Sequence, residues 1–137
     1  MNADHVKEKH STGNITATVS PQGPFIAHEV VMVTDEKELY ISGTHHISED
    51  EKLVFQFRFA ATNGEQSGEF NPSGEYPAAS YAHVTRGHIR LYSAERGTFS
   101  TTLIKQTQHF TGNFHFFSAA PDEEAFEGTF NIQKFDL

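Results

Sequence analysis

Histidine offers this sequence its most direct route to chemistry, because the chain has nine histidines and no cysteine. His83 and His88 flank the segment 85–87, and a tight hairpin turn there would bring the two imidazoles across from each other. Two imidazoles are a start for a Zn²⁺ site, which still needs a third ligand such as another histidine or a carboxylate. We predict neither a metal nor any other cofactor, with a metal-assisted enzyme centred on His83, His88 and Arg90 as the alternative.

Two further histidine pairs are not arranged to chelate one ion. His45 and His46 are adjacent, so in a strand they point to opposite faces. His109 and His115 have the same parity, but their separation corresponds to about 20 Å along a strand. We interpret His45 and His46 as a polar strand end, and His109 and His115 as separate surface or groove residues.

Clustered carboxylates occupy residues 35–36, 49–51 and 122–124, all in predicted turns. A carboxyl that works as a general acid needs a raised pKa in a dry pocket, whereas a turn is exposed to water. None of the clusters has the alternating ligand spacing of a calcium-binding loop. The sequence also contains no Gly-x-Ser-x-Gly elbow, no phosphate-binding loop and no dinucleotide fingerprint. We therefore predict no catalytic residues.

A different set of residues suits recognition. His88, Arg90 and Tyr92 share one face of a predicted strand, opposite two aliphatic residues. The same alternation places His115 and Phe117 opposite the other phenylalanines of their strand. Aromatic and Arg side chains are enriched at recognition surfaces. The half-covered second side of a sandwich is the alternative interpretation of this face, and the predicted binding set is Tyr40, His83, His88, Arg90, Tyr92, His115 and Phe117.

The net charge of −8 comes from 18 acidic and 10 basic residues. Such a chain repels a nucleic-acid backbone and an anionic membrane surface, and it permits a basic protein partner. No apolar stretch is long enough for a secretory signal or a transmembrane segment. We expect a cytoplasmic protein, with export as the alternative if a signal segment precedes this sequence.

Alternation of apolar and polar residues dominates the chain, and no helical period persists beyond about two turns. The segment 53–59 is the clearest example, since its phenylalanines occupy every second position. About nine such strands predict an all-β fold, either an antiparallel β-sandwich or a flattened β-barrel. A chain of 137 residues suits one domain, which we place at 14–137 after a flexible polar arm at 1–13.

Residues 63–77 are the least regular stretch, with glycines and prolines throughout. Long connections in compact domains often carry function. We predict a long loop here, with Phe70 and Tyr76 folded back as anchors. Further along the chain, 88–93 and 97–107 are predicted as separate strands.

The last two predicted strands repeat one pattern. Phe110-Thr-Gly-Asn-Phe114-His-Phe116 matches Phe126-Glu-Gly-Thr-Phe130-Asn-Ile132. A strand glycine leaves a gap that a ring from the neighbouring strand can cover. We expect the two strands to stack rings over glycines on the concave face, with a ring-lined ligand cavity as the alternative.

These C-terminal segments resemble a family of uncharacterised small bacterial proteins, many of them lipoproteins. The resemblance rests on Gly97-Thr-Phe99, on Gly112-Asn-Phe114-His-Phe116 and on Gly128-Thr-Phe130-Asn-Ile132. The opening strand and turn, Ala17-Thr-Val19 and Gly23-Pro-Phe25, are also similar, although a Trp is commoner at the position of Phe25 and the lipobox is missing. The resemblance implies a β-sandwich-like fold and no particular activity.

The leading hypothesis for function is a non-enzymatic binding or protein-interaction module. Its partner would be a second copy of the chain or a basic protein, held at the predicted binding face or at a sheet edge. A barrel whose interior holds a small amphipathic ligand is the alternative, and it requires an internal cavity.

Overall fold

The alternating segments form ten β-strands in a computed structural model that describes residues 11–27, 29–121 and 123–134. No helix occurs among these residues. The strands are β1 (Ser11–Val19), β2 (Phe25–Ala27), β3 (Glu29–Thr34), β4 (Glu38–Ser48), β5 (Glu51–Ala60), β6 (Gly64–Glu69), β7 (Ala78–Thr85), β8 (His88–Ile104), β9 (His109–Ser118) and β10 (Ala125–Lys134).

Nine of these strands form one path of antiparallel neighbours, in the order β2-β1-β10-β9-β8-β7-β5-β4-β3. The remaining strand, β6, pairs with β8 beside β7. The two ends of the path approach each other, since the backbone N–H of Met32 on β3 donates to Ser11 Oγ on β1 at 2.8 Å. The sheet is therefore nearly closed and barrel-shaped, which confirms the all-β prediction and favours the barrel over the sandwich.

Phenylalanine rings fill the interior of this barrel. Phe55, Phe57 and Phe59 point inward from β5 and are fully buried. They contact rings that come from the far side of the barrel, with centroid distances of 5.3 Å from Phe55 to Phe114 and 5.4 Å from Phe57 to Phe130. Tilted and edge-on ring pairs of this kind add to the stability gained by burying apolar area.

The repeated Gly/Phe pattern of β9 and β10 packs rings over glycines, as the sequence predicted. Gly112 pairs with Phe130, and Gly128 pairs with Phe114. A Cβ at Gly112 would lie 2.8 Å from the Phe130 ring, and one at Gly128 would lie 2.9 Å from the Phe114 ring. Each ring therefore occupies the space of the missing side chain on the neighbouring strand.

Strand β8 is longer than predicted, because the two segments expected to be separate form one strand of 17 residues. Its register with β9 shifts between Ala94 and Arg96, so Glu95 is the extra residue of a β-bulge. The bulge changes which residues of the strand point inward. Before it the even-numbered Tyr92 and Ala94 point inward, and after it the odd-numbered Phe99 does.

The predicted loop at 63–77 is wrong in its first part, where 64–69 pairs with β8 as β6. The segment forms a strand through pairing of its main-chain groups with β8, although its glycine and polar residues are poor strand formers. Phe70 is buried as expected, whereas Tyr76 is 37% exposed and is not an anchor. The Phe70 ring packs between rings of β5 and β8. Its centroid lies 6.4 Å from that of Phe57 and 5.1 Å from that of Phe99.

The domain boundary also differs from the prediction, since β1 begins at Ser11 instead of residue 14. Residues 11–13 pair with β10 and are therefore part of the barrel. The rest of the expected arm, 1–10, lies outside the described residues, as do Asp122 of the third carboxylate cluster and the C-terminal 135–137.

One ion pair fastens the loop after β6 to the outer face of the barrel. Arg58 on β5 donates to both carboxylate oxygens of Glu38 on β4, at 2.5 and 3.1 Å. Its remaining terminal nitrogen donates to the Gly74 carbonyl at 3.0 Å. The Arg58 guanidinium holds the pKa of the Glu38 carboxyl below its usual range.

Substitution Gly128→Ala tests the ring-over-glycine packing. The new methyl group would meet the Phe114 ring and the backbone of β1, which cannot move aside without breaking strand pairing. We expect a loss of at least about 2 kcal/mol in the free energy of unfolding, measured by urea denaturation. Thr129→Ala on the outer face is the matched control, and equal stability losses in both variants would contradict the packing argument.

Substitution Glu38→Gln tests the ion pair through its pH dependence. Because the folded-state pKa of Glu38 is lowered, its ionisation stabilises the fold above the unfolded-state value near 4.5, and that stability is lost as the pH falls through the lowered pKa. We expect a lower melting temperature for the variant at pH 7, and a difference from the original protein that shrinks as the pH falls below about 4.5. Glu36→Gln, at an exposed carboxylate nearby, is the control; a Glu38→Gln deficit that persists at low pH would refute the interpretation.

Candidate functional site

Strand β8 extends beyond its neighbour β9 and leaves one edge uncovered. Along His88–Ser93 it pairs with β7, and the residues between the two strands are Arg86 and Gly87, the latter with φ +71°. On its other side β8 pairs with β9 only from Ala94 onward. Within the described ranges no strand covers the second edge of His88–Ser93.

Strand β9 ends at this point because the chain turns into β10. The backbone N–H of Ser118 donates to the Glu124 carbonyl at 3.0 Å, and the N–H of Glu124 donates to Ser118 Oγ at 2.9 Å. These two bonds close the β9–β10 hairpin and direct the chain away from β8. Alternate residues of an antiparallel strand turn their N–H and C=O groups to opposite sides, so every second residue of 88–93 presents both groups to the open edge.

A groove of about 390 Å³ runs along the open edge. Its wall on the β8 side is formed by residues 90–95, and the end of β9 with the following turn forms the opposite wall through Ser118, Ala119 and Pro121. Pro72, from the loop after β6, also contributes to the lining. The groove therefore combines a strand edge that β9 does not cover with a partly apolar lining.

Two aliphatic side chains next to the groove are unusually exposed. Ile89 and Leu91 are 69% and 61% accessible, the highest values among the exposed large hydrophobic residues of the described chain. They pair across the hairpin with Val84 and Ala82, which are half-buried on the same outer face. The open edge thus carries a contiguous apolar patch, which we call the β7–β8 patch: Ala82, Val84, Ile89 and Leu91.

Charged side chains lie at both ends of the same edge, and each end has an ion pair. Arg86 at the hairpin tip forms an exposed ion pair with Asp50 at 2.5 Å. Glu95 lies at the opposite end of the groove, in the bulge. Beyond it, Arg96 forms an ion pair with Glu123 of the β9–β10 turn at 2.6 Å.

Tyr92 was expected on an exposed face and is buried instead, so that prediction is wrong. Its ring lies 5.7 Å from Tyr81 and 5.8 Å from Phe126, inside the barrel. The predicted alternation along the strand was correct. However, the face with Tyr92 points into the barrel, and the face with Ile89 and Leu91 points outward. Arg90 remains exposed beside Tyr92, with its guanidinium carbon 5.1 Å from the ring centroid.

The metal hypothesis required His83 and His88 to lie across from each other on the hairpin. The two residues share one face, but they are not opposite each other. The tight hairpin pairs His83 with Arg90 and His88 with Thr85. His83 Nε2 instead contacts a carboxylate oxygen of Glu51 on β5 at 2.6 Å. No cluster of three or more His, Asp or Glu side chains suited to a metal ion occurs in the part of the chain that the structure describes.

The remaining predicted residues lie away from the hairpin. Tyr40 is half-buried on the outer face of β4, paired with Val33 and Arg58 on the neighbouring strands. His115 and Phe117 lie together on β9, with ring centroids 4.9 Å apart. Arg96 stacks on Phe117 at 4.0 Å, which covers part of the ring that was expected to be available.

Three residues of the open edge, His88, Arg90 and Tyr92, belong to the predicted binding set. Ile89 and Leu91 do not, since the prediction placed them on the opposite face of the strand. A strand with an aromatic residue on one face and aliphatic residues on the other was the available signal, since either side can then face the core.

An internal ligand would have to displace the rings that occupy the barrel. The centroid of Phe55 lies 4.8 Å from Phe25 and 4.9 Å from Tyr81, in addition to the contact across the barrel. Contacts this close leave no room for a small molecule between those rings, so a binding site is expected on the surface.

No helix long and apolar enough to cross a membrane is present in the described residues. Comparison of the chain with family models, with curated proteins and with solved structures gave no match. The resemblance to the small bacterial proteins therefore stays a prediction.

Proposed function

We propose that this protein is a non-enzymatic binding module that takes up an extended polypeptide segment along the free edge of β8. One observation carries the proposal: main-chain groups of His88–Ser93 face a groove with no strand opposite them within the described residues. An incoming strand would satisfy these groups by continuing the sheet.

Strand addition also explains the position of the β7–β8 patch. In this mode of recognition main-chain hydrogen bonds provide affinity, and contacts with alternate side chains provide specificity. Ile89 and Leu91 protrude on the outer face of the edge strand, where side chains of an added strand would lie beside them. Burial of these two side chains would contribute roughly 25 cal/mol for each Å² removed from water.

The groove is better suited to recognition than to catalysis. Among the described residues, its charged side chains are Arg90, which stacks beside Tyr92, and Glu95, which is exposed in the bulge. A carboxyl in contact with water is a poor general acid at neutral pH. Natural edge strands are usually protected by charges, bulges or covering loops, so an uncovered edge with protruding aliphatic residues favours association.

A library of random 12-residue peptides displayed on phage, selected against the immobilised protein, tests the proposal. We expect the selected peptides to bind the original protein and to lose at least about tenfold in affinity for the double variant I89K/L91K, because lysine on an edge strand opposes strand addition. Backbone amides of 88–93 should exchange more slowly in the complex.

The double variant V31K/V33K is the matched control, since Val31 and Val33 are 47% and 52% exposed on the outer face of β3. Binding should survive in this variant. Selection of no peptide, or equal binding to both double variants, would overturn the proposal.

A further inference from the structure

The hairpin between β7 and β8 fixes which main-chain groups of β8 face each side. Only residues 86–87 separate the paired Thr85 and His88. In a two-residue hairpin the pair that flanks the turn exchanges hydrogen bonds, and hydrogen-bonded pairs then alternate along the ladder. His88 therefore turns its N–H and C=O toward β7. Ile89 and Leu91, at the intervening positions, turn theirs to the opposite side.

The second half of β8 leads to the same assignment. The backbone N–H of Phe70 donates to the Gly97 carbonyl at 3.0 Å, so Gly97 faces the side of β8 that carries β6 and β7. The bulge at Glu95 takes up one extra position and reverses the alternation before it. Odd-numbered residues ahead of the bulge, Ile89 and Leu91 among them, therefore face the side on which β9 lies.

The same two residues carry the most exposed side chains of the β7–β8 patch. Ile89 and Leu91 project from the outer face, beside Val84 and Ala82 of β7. Residues of an added antiparallel strand that lie opposite them would exchange both main-chain hydrogen bonds with them. Side chains of such opposite residues lie on the same face. Main-chain pairing and apolar contact therefore coincide at two alternate positions of the added strand.

Strand β9 determines the direction that fits such a strand. β9 runs antiparallel to β8 and pairs with it from Ala94, so the edge beyond Ser93 is already occupied. An antiparallel segment opposite 89–91 would continue the line of β9 and extend the existing interface between β8 and β9. Its N-terminal end would lie near Ala119 in the wall of the groove, and its C-terminal end would point toward the hairpin tip.

We propose that the segment taken up by the β8 edge is an extended chain with apolar, β-branched side chains at two alternate positions, paired antiparallel with Ile89 and Leu91 in line with β9. This inference rests on the proposed function and specifies its substrate. β-Branched side chains pack well beside neighbours on a pleated surface. Pairing along about five residues covers about 17 Å, which belongs to the small interfaces of weak or transient complexes.

Two synthetic peptides of the same composition test the alternating pattern. One, acetyl-Thr-Val-Thr-Val-Thr-Lys-amide, has its valines at alternate positions, and the other, acetyl-Thr-Val-Val-Thr-Thr-Lys-amide, has them side by side. We expect the alternating peptide to bind at least about fivefold more tightly, because only it can place both valines on the outer face. Titration of the full chain, followed through its backbone amide NMR signals, measures both affinities. V31K/V33K should bind like the original protein, and I89K/L91K should bind the alternating peptide at least about tenfold more weakly.

Methylation of single peptide nitrogens tests which main-chain groups pair. A methyl group on the nitrogen of either valine in the alternating peptide should weaken binding about tenfold or more, because it removes an N–H that faces the edge of β8. A methyl group on the threonine between the valines should have little effect, since that N–H points away from β8.

A nitroxide label tests the direction of the bound peptide. Attached at the N-terminal end of the alternating peptide, it should broaden the amide signals of Ser118 and Ala119. Attached at the C-terminal end, it should broaden those of Arg86 and Gly87 instead. This pattern follows from an added strand that continues the line of β9.

Several outcomes would overturn the inference. Equal affinity of the two synthetic peptides, or binding of neither, would refute the alternating pattern. Equal effects of methylation at a valine and at the middle threonine would refute pairing through Ile89 and Leu91, and reversed label effects would refute the antiparallel direction. In each case phage-selected peptides that lose affinity for I89K/L91K would leave the proposed function intact. Absence of binding by the selected peptides as well would refute the proposed function itself.

Discussion

Contacts between rings across the barrel determine which side of every strand faces inward. The three phenylalanines of β5 reach rings of β9 and β10, strands that are not its neighbours in the sheet, as with Phe59 and Phe110 at 5.4 Å. Because strand side chains alternate with a period of two, each ring placed inside assigns its neighbours to the outer surface. The exposure of Ile89 and Leu91 follows from this constraint, since Tyr92 occupies the interior position on their strand.

The second constraint is the difference in length between β8 and β9. β8 has 17 residues and turns into β7 at its beginning, whereas β9 has 10 residues and ends at Ser118. Strand β7 and strand β6 share one side of β8, but β9 covers only part of the other side. In the described residues, β9 therefore leaves the first part of β8 without a neighbouring strand on that side. A binding function located there would use the main chain more than any reactive side chain.

Two histidines contact acidic side chains near the ends of strands. His83 contacts Glu51, and His46 contacts Glu29 at 3.2 Å. These contacts connect adjacent strands of the barrel at the end that carries the β7–β8 hairpin.

The sequence by itself determined the all-β class, the antiparallel pairing and the Gly/Phe packing of the last two strands, because these depend on side-chain alternation and on local space. It also located the turn before His88. Only the tertiary structure decided the inward side of β8 and the pairing of β6. Both features depend on strands distant in the chain, since alternation defines two faces without saying which one a core will cover.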